Sequence, residues 1–517
     1  MRTSNTKPAL YMTALLYHAD DRLQSLIEKQ IAASGLPPKL ISEILTLATT
    51  CVLGERRIQP NRDFDRPSHS IFQYIGNQDF TYQYPKRSLV LGQKAFPKVT
   101  IEEDGTAAIQ WQALKKDLEQ LANNTHLTNR AESTLQLLHQ HCSCLPAPVQ
   151  HASYISYYDY AKSLAGFSVA IYDYLLANES LATGFQIAET EACLLLVKGD
   201  LSGVQSFLYD IVGRSAARNL KGRSFYLQLL SSSILQHFLN ELQLYHCHVI
   251  YDSGGSFQLI APNTPLVREK LAQLKASIAE KLFETHKTSL SLLVAAVPVT
   301  LGDLLDAPLK QITDRLNEAI EIEKLQKQNH LLLKNAAQFF EPEKVEEGGG
   351  HPRDMITGEE IPVVKKAWVM GEEGAPQPIA KHKNADDTRL VTAATAQQII
   401  VGKNLRQVKY WISSDEALTL PEEEKYSDYV IDPCGIGVFN YLIPDKDLAA
   451  FLSVLKQKTV RIYKINAPSN FLEPTKFGNH HAFGFLLYGG NDFPGDDYMP
   501  FTFSELAGMI ERDKQKL

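Results

Sequence analysis

Apolar residues recur at helical spacing along the first third of the chain. In ALYMTALLYHADDRLQSLIEKQIAAS, Leu15, Leu16, Leu23, Leu26 and Ile27 form one stripe. Gly35, Pro37 and Pro38 break it, and Ile41, Ile44 and Leu45 begin a second helix. Residues 55–105, rich in Arg, Pro, Tyr and Phe without a period, read as a long irregular insert; helical pattern returns at 107–141 and 156–177. The sharpest patterning lies at 191–300. ACLLLVKGDLSG is an apolar run ending in a turn, as in a buried strand. Tyr226, Leu230, Ile234, Phe238 and Leu242 mark one face of a long helix. CHVIYDSGGSFQLIAP reads as strand, Gly-Gly turn, strand, and LSLLVAAVPV follows a further helix as a fourth strand. The order β-α-β-β-α-β is the ferredoxin-like unit.

Residues 305–340 read as a charged helix, and a Gly-, Pro- and charge-rich stretch then runs to about 390. TAATAQQIIVGKNL is helical, and from 406 onward short strands recur (QVKYWIS, GVFNYLI, VRIYKIN, AFGFLLYGG). FTFSELAGMIERDKQKL reads as a helix capped by Thr502 or Ser504. The expected fold class is α+β: a helical domain over 1–190, a ferredoxin-like domain over 191–345, an irregular module or linker over 346–405, and a small α/β unit over 406–517. With 517 residues, 44% of them hydrophobic, the chain is long enough for several cores. Its net charge of −7 confines any grip on nucleic acid to a local patch or to partner subunits. The start shows no leader, and no window approaches the ~18 apolar residues of a membrane span. The six cysteines are scattered, which suits free thiols in the cytoplasm.

VKGDLSGVQSFLYDI (197–211), KGRSFYLQLL (221–230) and YDSGGSFQLIAPNT (251–264) resemble, in order and spacing, the first palm of the large subunit of type III-A CRISPR effector complexes, the Csm family. ISYYDYAKSLAGFSVAIYDYL, RDMITGEEI, ATAQQIIVGKNL, YKINAPSNF and FGFLLYGGN extend the likeness from Leu10 to Ala507. The resemblance implies an HD-like helical domain, a cyclase-related palm, and then a second palm with a GGDD hairpin, before which the sequence stops. It implies cyclic oligoadenylate synthesis and single-stranded DNA cleavage as family activities. Implied partners are the other type III-A subunits, the 5′ end of the guide RNA, target RNA and a separately encoded second palm, with no membrane. ATP with Mg²⁺ is the implied cofactor.

The residues modify that picture. A palm site needs paired carboxylates to clamp its metals, yet the first strand offers Asp200 and then Ser202, and the hairpin turn Ser253, Gly254, Gly255 has no acid. Gly199, Asp200, Ser202, Gly203 and Gln205, with that turn, are the candidate nucleotide-binding set; the glycines equally serve as turn formers. An HD site needs an adjacent His-Asp pair and further His and Asp ligands. Here Ala19 splits His18 from Asp20, Tyr160 follows Asp159 where the motif has His, and Thr49 stands at an Asp position. No catalytic residue is assigned, and His18, Asp20 and Asp159 remain as remnant candidates, with Asp21 beside them in a rearranged site. The module near 350–390 has His351, Asp354 and His382 but no cysteine, so no zinc is expected and packing alone should hold it. Gly489–Asp497 resembles a GGDD variant but reads as an acidic loop. Arg214, Arg218, Lys221 and Arg223 cluster where RNA phosphate, an acidic partner or solvent would meet them. Tyr157, Tyr158, Tyr172 and Tyr174 lie at helical spacing and read as core and interface. The chain is thus expected to be a scaffold or split half without complete active sites, or else a stand-alone ATP sensor.

Overall fold

The computed structural model describes residues 5–54, 60–74, 81–89, 96–99, 105–149, 153–209, 216–306, 309–340, 352–361, 366–371, 376–379, 389–405, 407–420, 426–467, 471–487, 492–493 and 501–502. The first apolar stripe is two helices, not one. α1 (Thr6–Leu16) is buried all round and stops before Asp20, whose carboxylate accepts from the Arg22 N–H at 3.0 Å and caps a short turn leading into α2 (Gln24–Ser34). A short acid that bonds its own backbone competes with the helix ladder, which is the break that apolar spacing does not show. α3 (Pro38–Leu53) begins at Pro38 and ends at Gly54 with φ 64°. The insert holds two two-residue strands, β1 (Ser68–His69) and β2 (Gln83–Tyr84), paired antiparallel. α4 (Ala107–Leu121), α5 (Leu127–Cys142) and α6 (Tyr157–Ala177) complete the helical unit. Trp111, fully buried, meets Tyr157 edge-on at 4.9 Å and Phe64 at 4.9 Å.

The second unit runs β3 (Leu194–Ser202), α7 (Val204–Tyr209), α8 (Ala216–Glu241), β4 (Val249–Ser253), β5 (Ser256–Pro262), α9 (Pro265–His286), β6 (Ser291–Val299). The sheet order is β4-β5-β3-β6, antiparallel throughout, which is the ferredoxin-like arrangement of the β-α-β-β-α-β order. Leu195, Val197, Phe257 and Leu259 pack against α8 and α9, where Tyr226, Leu230, Ile234, Phe238 and Leu242 are all buried. Leu194, Ile260, Leu293 and Val297 face the helical unit and α11. Covering on both faces is why these strands read as continuous apolar runs. α10 (Leu301–Leu305), α11 (Leu309–Leu325) and α12 (Asn329–Phe340) follow.

A small sheet of β7 (Trp368–Met370), β8 (Pro376–Pro378) and β9 (Leu390–Val391), ordered β8-β7-β9, precedes α13 (Ala393–Asn404). Beyond it β10 (Val408–Ser414), β11 (Val430–Ile431), β12 (Phe439–Pro444), β13 (Arg461–Ile465) and β14 (Ala482–Leu486) form a sheet ordered β11-β12-β10-β13-β14, with only β13 and β14 parallel. β15 (Asp492–Phe493) pairs antiparallel with β16 (Phe501–Thr502). The units interlock around α8. A Cβ at Gly222 would come within 2.1 Å of the Gln398 carbonyl oxygen on α13. Asn440 on β12 donates to Ser233 Oγ at 3.0 Å. α5 is tied to the last large sheet as well: Ser133 Oγ accepts from the Phe483 N–H at 2.8 Å, and Asn124 donates to the His481 carbonyl at 2.7 Å.

Candidate functional site

The hairpin of the ferredoxin-like unit opens onto a cavity of about 370 Å³. Gly254 and Gly255, at φ 64° and 85°, make the two-residue turn that joins β4 to β5 with the twist of the strands. The Gly255 carbonyl accepts from Leu201 N–H at 2.9 Å, fastening the end of β3 to that turn. Ser253, Gly254 and Gly255 form one wall, Val204 and Leu208 a second, and Ser224, Gln228, Ser231 and Ser232 of α8 the third. Asp252 stands exposed at the mouth. Among the described residues the polar lining is hydroxyl, amide, backbone and the Asp252 carboxylate, with no cation, which suits hydrogen bonding to a polar ligand more than charge pairing.

The other candidates on β3 face elsewhere. Strand register puts Asp200 opposite Ser256 and Leu293, and Asp252 opposite Phe257, so the two carboxylates lie on opposite faces of the sheet. They do not share a metal. Ser202 Oγ accepts from Lys327 at 3.5 Å on the α11 side. Gly199 has a packing reason: a Cβ there would lie 2.2 Å from the Phe257 ring. Gly203, at φ 97°, turns the chain into α7, and Gln205 is exposed on that helix outside the cavity. Of the basic cluster, Arg214 and the Arg218 side chain lie outside the described residues and Lys221 is half-buried. Arg223 is buried, its guanidinium 4.3 Å over the Phe207 ring. Burial, with the Arg223 charge adding, brings His286 down to about 4.

In the helical unit the three motif positions meet. His18 Nδ1 and Tyr160 Oη share a hydrogen bond at 2.6 Å, and Thr49 bonds the same phenol. Burial brings His18 down to about 4, helped by the Arg62 charge, and pushes Tyr160 up, so both are neutral at neutral pH. Asp20 and Asp159 do not join them. Asp20 caps its turn and pairs with Arg22 at 2.7 Å, and Asp159 accepts from Ser156 Oγ at 2.7 Å at the start of α6. One imidazole already bonded to a phenol, a threonine and no carboxylate do not fit the transition-metal centre that the HD motif implies.

Among the described residues between 352 and 405, Asp354 is buried and accepts from the N–H groups of Ile356 (2.8 Å), Thr357 (3.1 Å) and Thr392 (2.7 Å). Packing is therefore joined by hydrogen bonds there. With both its oxygens so engaged Asp354 does not suit zinc; His351 and His382 lie outside the described residues. Among the described residues no three His, Cys, Asp or Glu side chains converge on a metal position. Of Gly489–Asp497 only the backbone of Asp492 and Phe493 is described, in β15. Tyr157 and Tyr172 are buried, Tyr158 stacks on His139 at 4.4 Å, and Tyr174 donates to Glu191 at 2.6 Å. No single described helix is long and apolar enough to cross a membrane.

Sequence reading passed over the polar edge of α8. Ser224, Gln228, Ser232, Gln236 and Asn240 recur every four residues beside the apolar face, and they line successive cavities along the helix. That four-residue spacing is the signal that would have found them.

Residues 193–344 match the family described as Csm1 subunit domain B. The CRISPR system single-strand-specific deoxyribonuclease Cas10/Csm1 (subtype III-A) of Enterococcus italicus is 26% identical over 308 residues, 54% of this chain and 40% of that protein. Its counterpart in Mycobacterium tuberculosis is 26% identical over 272 residues, 50% of this chain and 33% of that protein. The matched stretches thus span well under half of these relatives. A Csm1–Csm4 cassette in complex with AMPPNP superposes with a TM-score of 0.58 at 17% identity, covering 97% of this chain and 63% of that one. A Csm1–Csm4 subcomplex of the type III-A interference complex gives 0.56 at 17% identity, covering 96% and 58%. The fold is shared with them.

Proposed function

We propose, from the premise that this chain is a relative of the Cas10/Csm1 large subunits of type III-A CRISPR systems, that it serves as the large subunit of an RNA-guided antiviral effector complex. The match over 193–344, which frames the hairpin and its cavity, carries the reading. In it the helical unit is a degenerate HD-like domain, and the ferredoxin-like unit is a cyclase-related palm. A Csm4-type subunit is the neighbour, with the guide RNA 5′ end and target RNA held in the assembly, in the cytoplasm. The cavity between the Ser253–Gly255 turn and α8 takes ATP. Backbone N–H groups of the turn meet its phosphates, and the α8 hydroxyls and Gln228 meet its polar edge. Magnesium would have to come with the nucleotide or from acids on another subunit, because Asp200 and Asp252 face apart. By itself the chain binds without turning over, and its His18–Tyr160 position cuts no DNA.

The test is to purify the chain with its operon neighbours, add ATP, Mg²⁺ and target RNA, and measure cyclic oligoadenylate, with the chain alone as control. Product only with a partner present is expected of a large subunit that relies on acids elsewhere. Product from the isolated chain would overturn the assignment of an inactive hairpin. ATP affinity of the isolated chain without any partner association would favour the stand-alone sensor instead.

A further inference from the structure

A further cavity, of about 290 Å³, lies where the helical unit, the ferredoxin-like unit and the last large sheet meet, walled by α5, α6, α8 and strands β10, β12, β13 and β14. Small-molecule sites concentrate at such junctions, and this volume is near their lower end. Gln228, Ser232 and Asp252 belong to this cavity and to the hairpin cavity alike, so the two adjoin. Four rings line it: Tyr158, Trp411, Tyr463 and Phe485. Tyr158 and Phe485 stack on His139, at 4.4 and 4.9 Å. Trp411 donates to Asn440 at 2.8 Å and packs against Tyr463 at 5.1 Å. Gly484 on β14 makes room for this, because a Cβ there would come within 2.9 Å of the Tyr463 ring and 3.0 Å of the Gln136 side chain. The rings are therefore held in place before any ligand arrives.

The polar lining is unspent. Gln136 Oε1 is buried without a hydrogen-bond partner. The Lys162 ammonium on α6 makes no hydrogen bond or ion pair among the described residues; burial draws its pKa down, and Asp159, Asp252 and Glu132 act on it only through space. An ammonium and the Asp252 carboxylate thus line one hollow without meeting. Polar groups left like this are costly, so the lining asks for a ligand that carries both acceptors and donors. A bare anion would use Lys162 and leave four rings idle. An apolar side chain of a partner would use the rings and strand Lys162 and Gln136. A flat heterocycle with acceptors and donors on its edge uses all of them, and the adjoining glycine turn, with backbone N–H groups suited to phosphate, favours a nucleobase among such rings.

We propose that this cavity is a nucleobase pocket, with the ring lying among Tyr158, Trp411, Tyr463 and Phe485, its edge acceptors taking the Lys162 ammonium and its edge donors meeting Gln136 Oε1 and Asp252. Two sources share this chemistry: the base of a nucleotide whose phosphates reach the hairpin turn, as the proposed function has it, and a free nucleoside. 2-Aminopurine riboside, whose fluorescence is quenched when its ring stacks, is titrated into the full chain. Quenching should saturate, and adenosine or guanosine should displace the probe. Lys162→Met should weaken binding at least about tenfold and Gln136→Met about two- to tenfold, the worth of a charged and a neutral hydrogen bond. Each variant removes a polar group that the fold leaves unsatisfied, so hydrogen exchange over α5 and α6 should not quicken; lost binding with protection kept is what a purely structural role would not give. Ser253→Asp, which sets a negative charge beside the turn, separates the sources. ATP that outbinds adenosine and loses that advantage in Ser253→Asp joins the pocket to the hairpin; equal binding of both, indifferent to Ser253→Asp, marks a free nucleoside; either supports the pocket. ATP binding that falls in Ser253→Asp but ignores Lys162→Met and Gln136→Met leaves the hairpin reading standing and overturns this one. Absence of quenching, which leaves the cavity to water, overturns it too. So does displacement of the probe by inorganic phosphate at the concentrations where nucleoside competes, which would give Lys162 to an anion.

Discussion

Gly199→Ala separates two reasons for a glycine beside a proposed nucleotide site. Residue 199 lies within β3, the strand between β5 and β6, where the intrinsic preference of a strand interior favours alanine by about 0.5–1 kcal/mol. Space argues the other way. The new methyl would sit 2.2 Å from the Phe257 ring, against the ~3.5–4.0 Å of an ordinary carbon contact. Phe257 is 1% exposed and wedged edge-on against Phe238 at 5.4 Å, so the ring has nowhere free to go. Overpacking of this kind costs about 1–3 kcal/mol, and it outweighs the propensity gain. Several interlocked units do not melt as two states, so the assay is local: hydrogen exchange of peptides spanning 194–202. Protection should fall by up to roughly 70-fold, the equivalent of that cost less the propensity gain. In a Phe257→Leu background, where the ring edge is gone, the same Gly199→Ala change should cost under about 0.5 kcal/mol, a coupling expected of residues in contact. If Gly199→Ala leaves β3 protection intact but abolishes ATP binding, the glycine serves phosphate approach and the packing argument is refuted.

Buried histidines set the pH response. His18, His139, His286 and His481 are held down to about 4 and His248 to about 3, chiefly by burial. Folded values below the unfolded ~6.5 mean that the unfolded chain takes up protons first. Stability is therefore full above pH 6.5 and falls as pH drops towards 4, by about 1.4 kcal/mol per unit for each histidine. Exchange protection of the histidine-bearing segments, corrected for the intrinsic pH dependence of exchange and flat from pH 6.5 to 4.5, would contradict this. Tyr160→Phe should cost about 0.5–1.5 kcal/mol, since it removes the hydrogen bond to His18, read as faster exchange over α6. The triple change Ala19→Asp, Thr49→Asp, Tyr160→His puts carboxylates and a second imidazole beside His18. It should bind Mn²⁺ in calorimetry where the parent does not, and equal heats would show that the position cannot be rebuilt. Asp354→Ala strands three backbone donors at about 1–3 kcal/mol each and should open 352–361 to protease ahead of the rest; simultaneous cleavage elsewhere would count against a local role.

The β-α-β-β-α-β order was legible because both periods, two-faced apolar strands and a four-residue stripe on α8, survive in the residues themselves. The break at Tyr17–Asp20 was not, since it depends on one side chain bonding its own backbone. Asp200 and Asp252 could be named from sequence, but their separation onto opposite faces depends on strand register, which composition does not encode. His18, Thr49 and Tyr160 were each noticed as odd, and only the folding of α1, α3 and α6 against one another makes the three oddities one hydrogen-bonded cluster.

The close approach at Gly222 ties α8 to a segment that is synthesised much later. α8 emerges from the ribosome early, but its close partner on α13 is made only once Gln398 has been synthesised, and α5 waits longer still for the β14 backbone that bonds Ser133. The nascent chain must therefore carry finished secondary structure with unfilled seats for some time, at synthesis rates of about 5–20 residues per second. Its dependence on chaperones should peak in that interval, before the β14 backbone clears the exit tunnel.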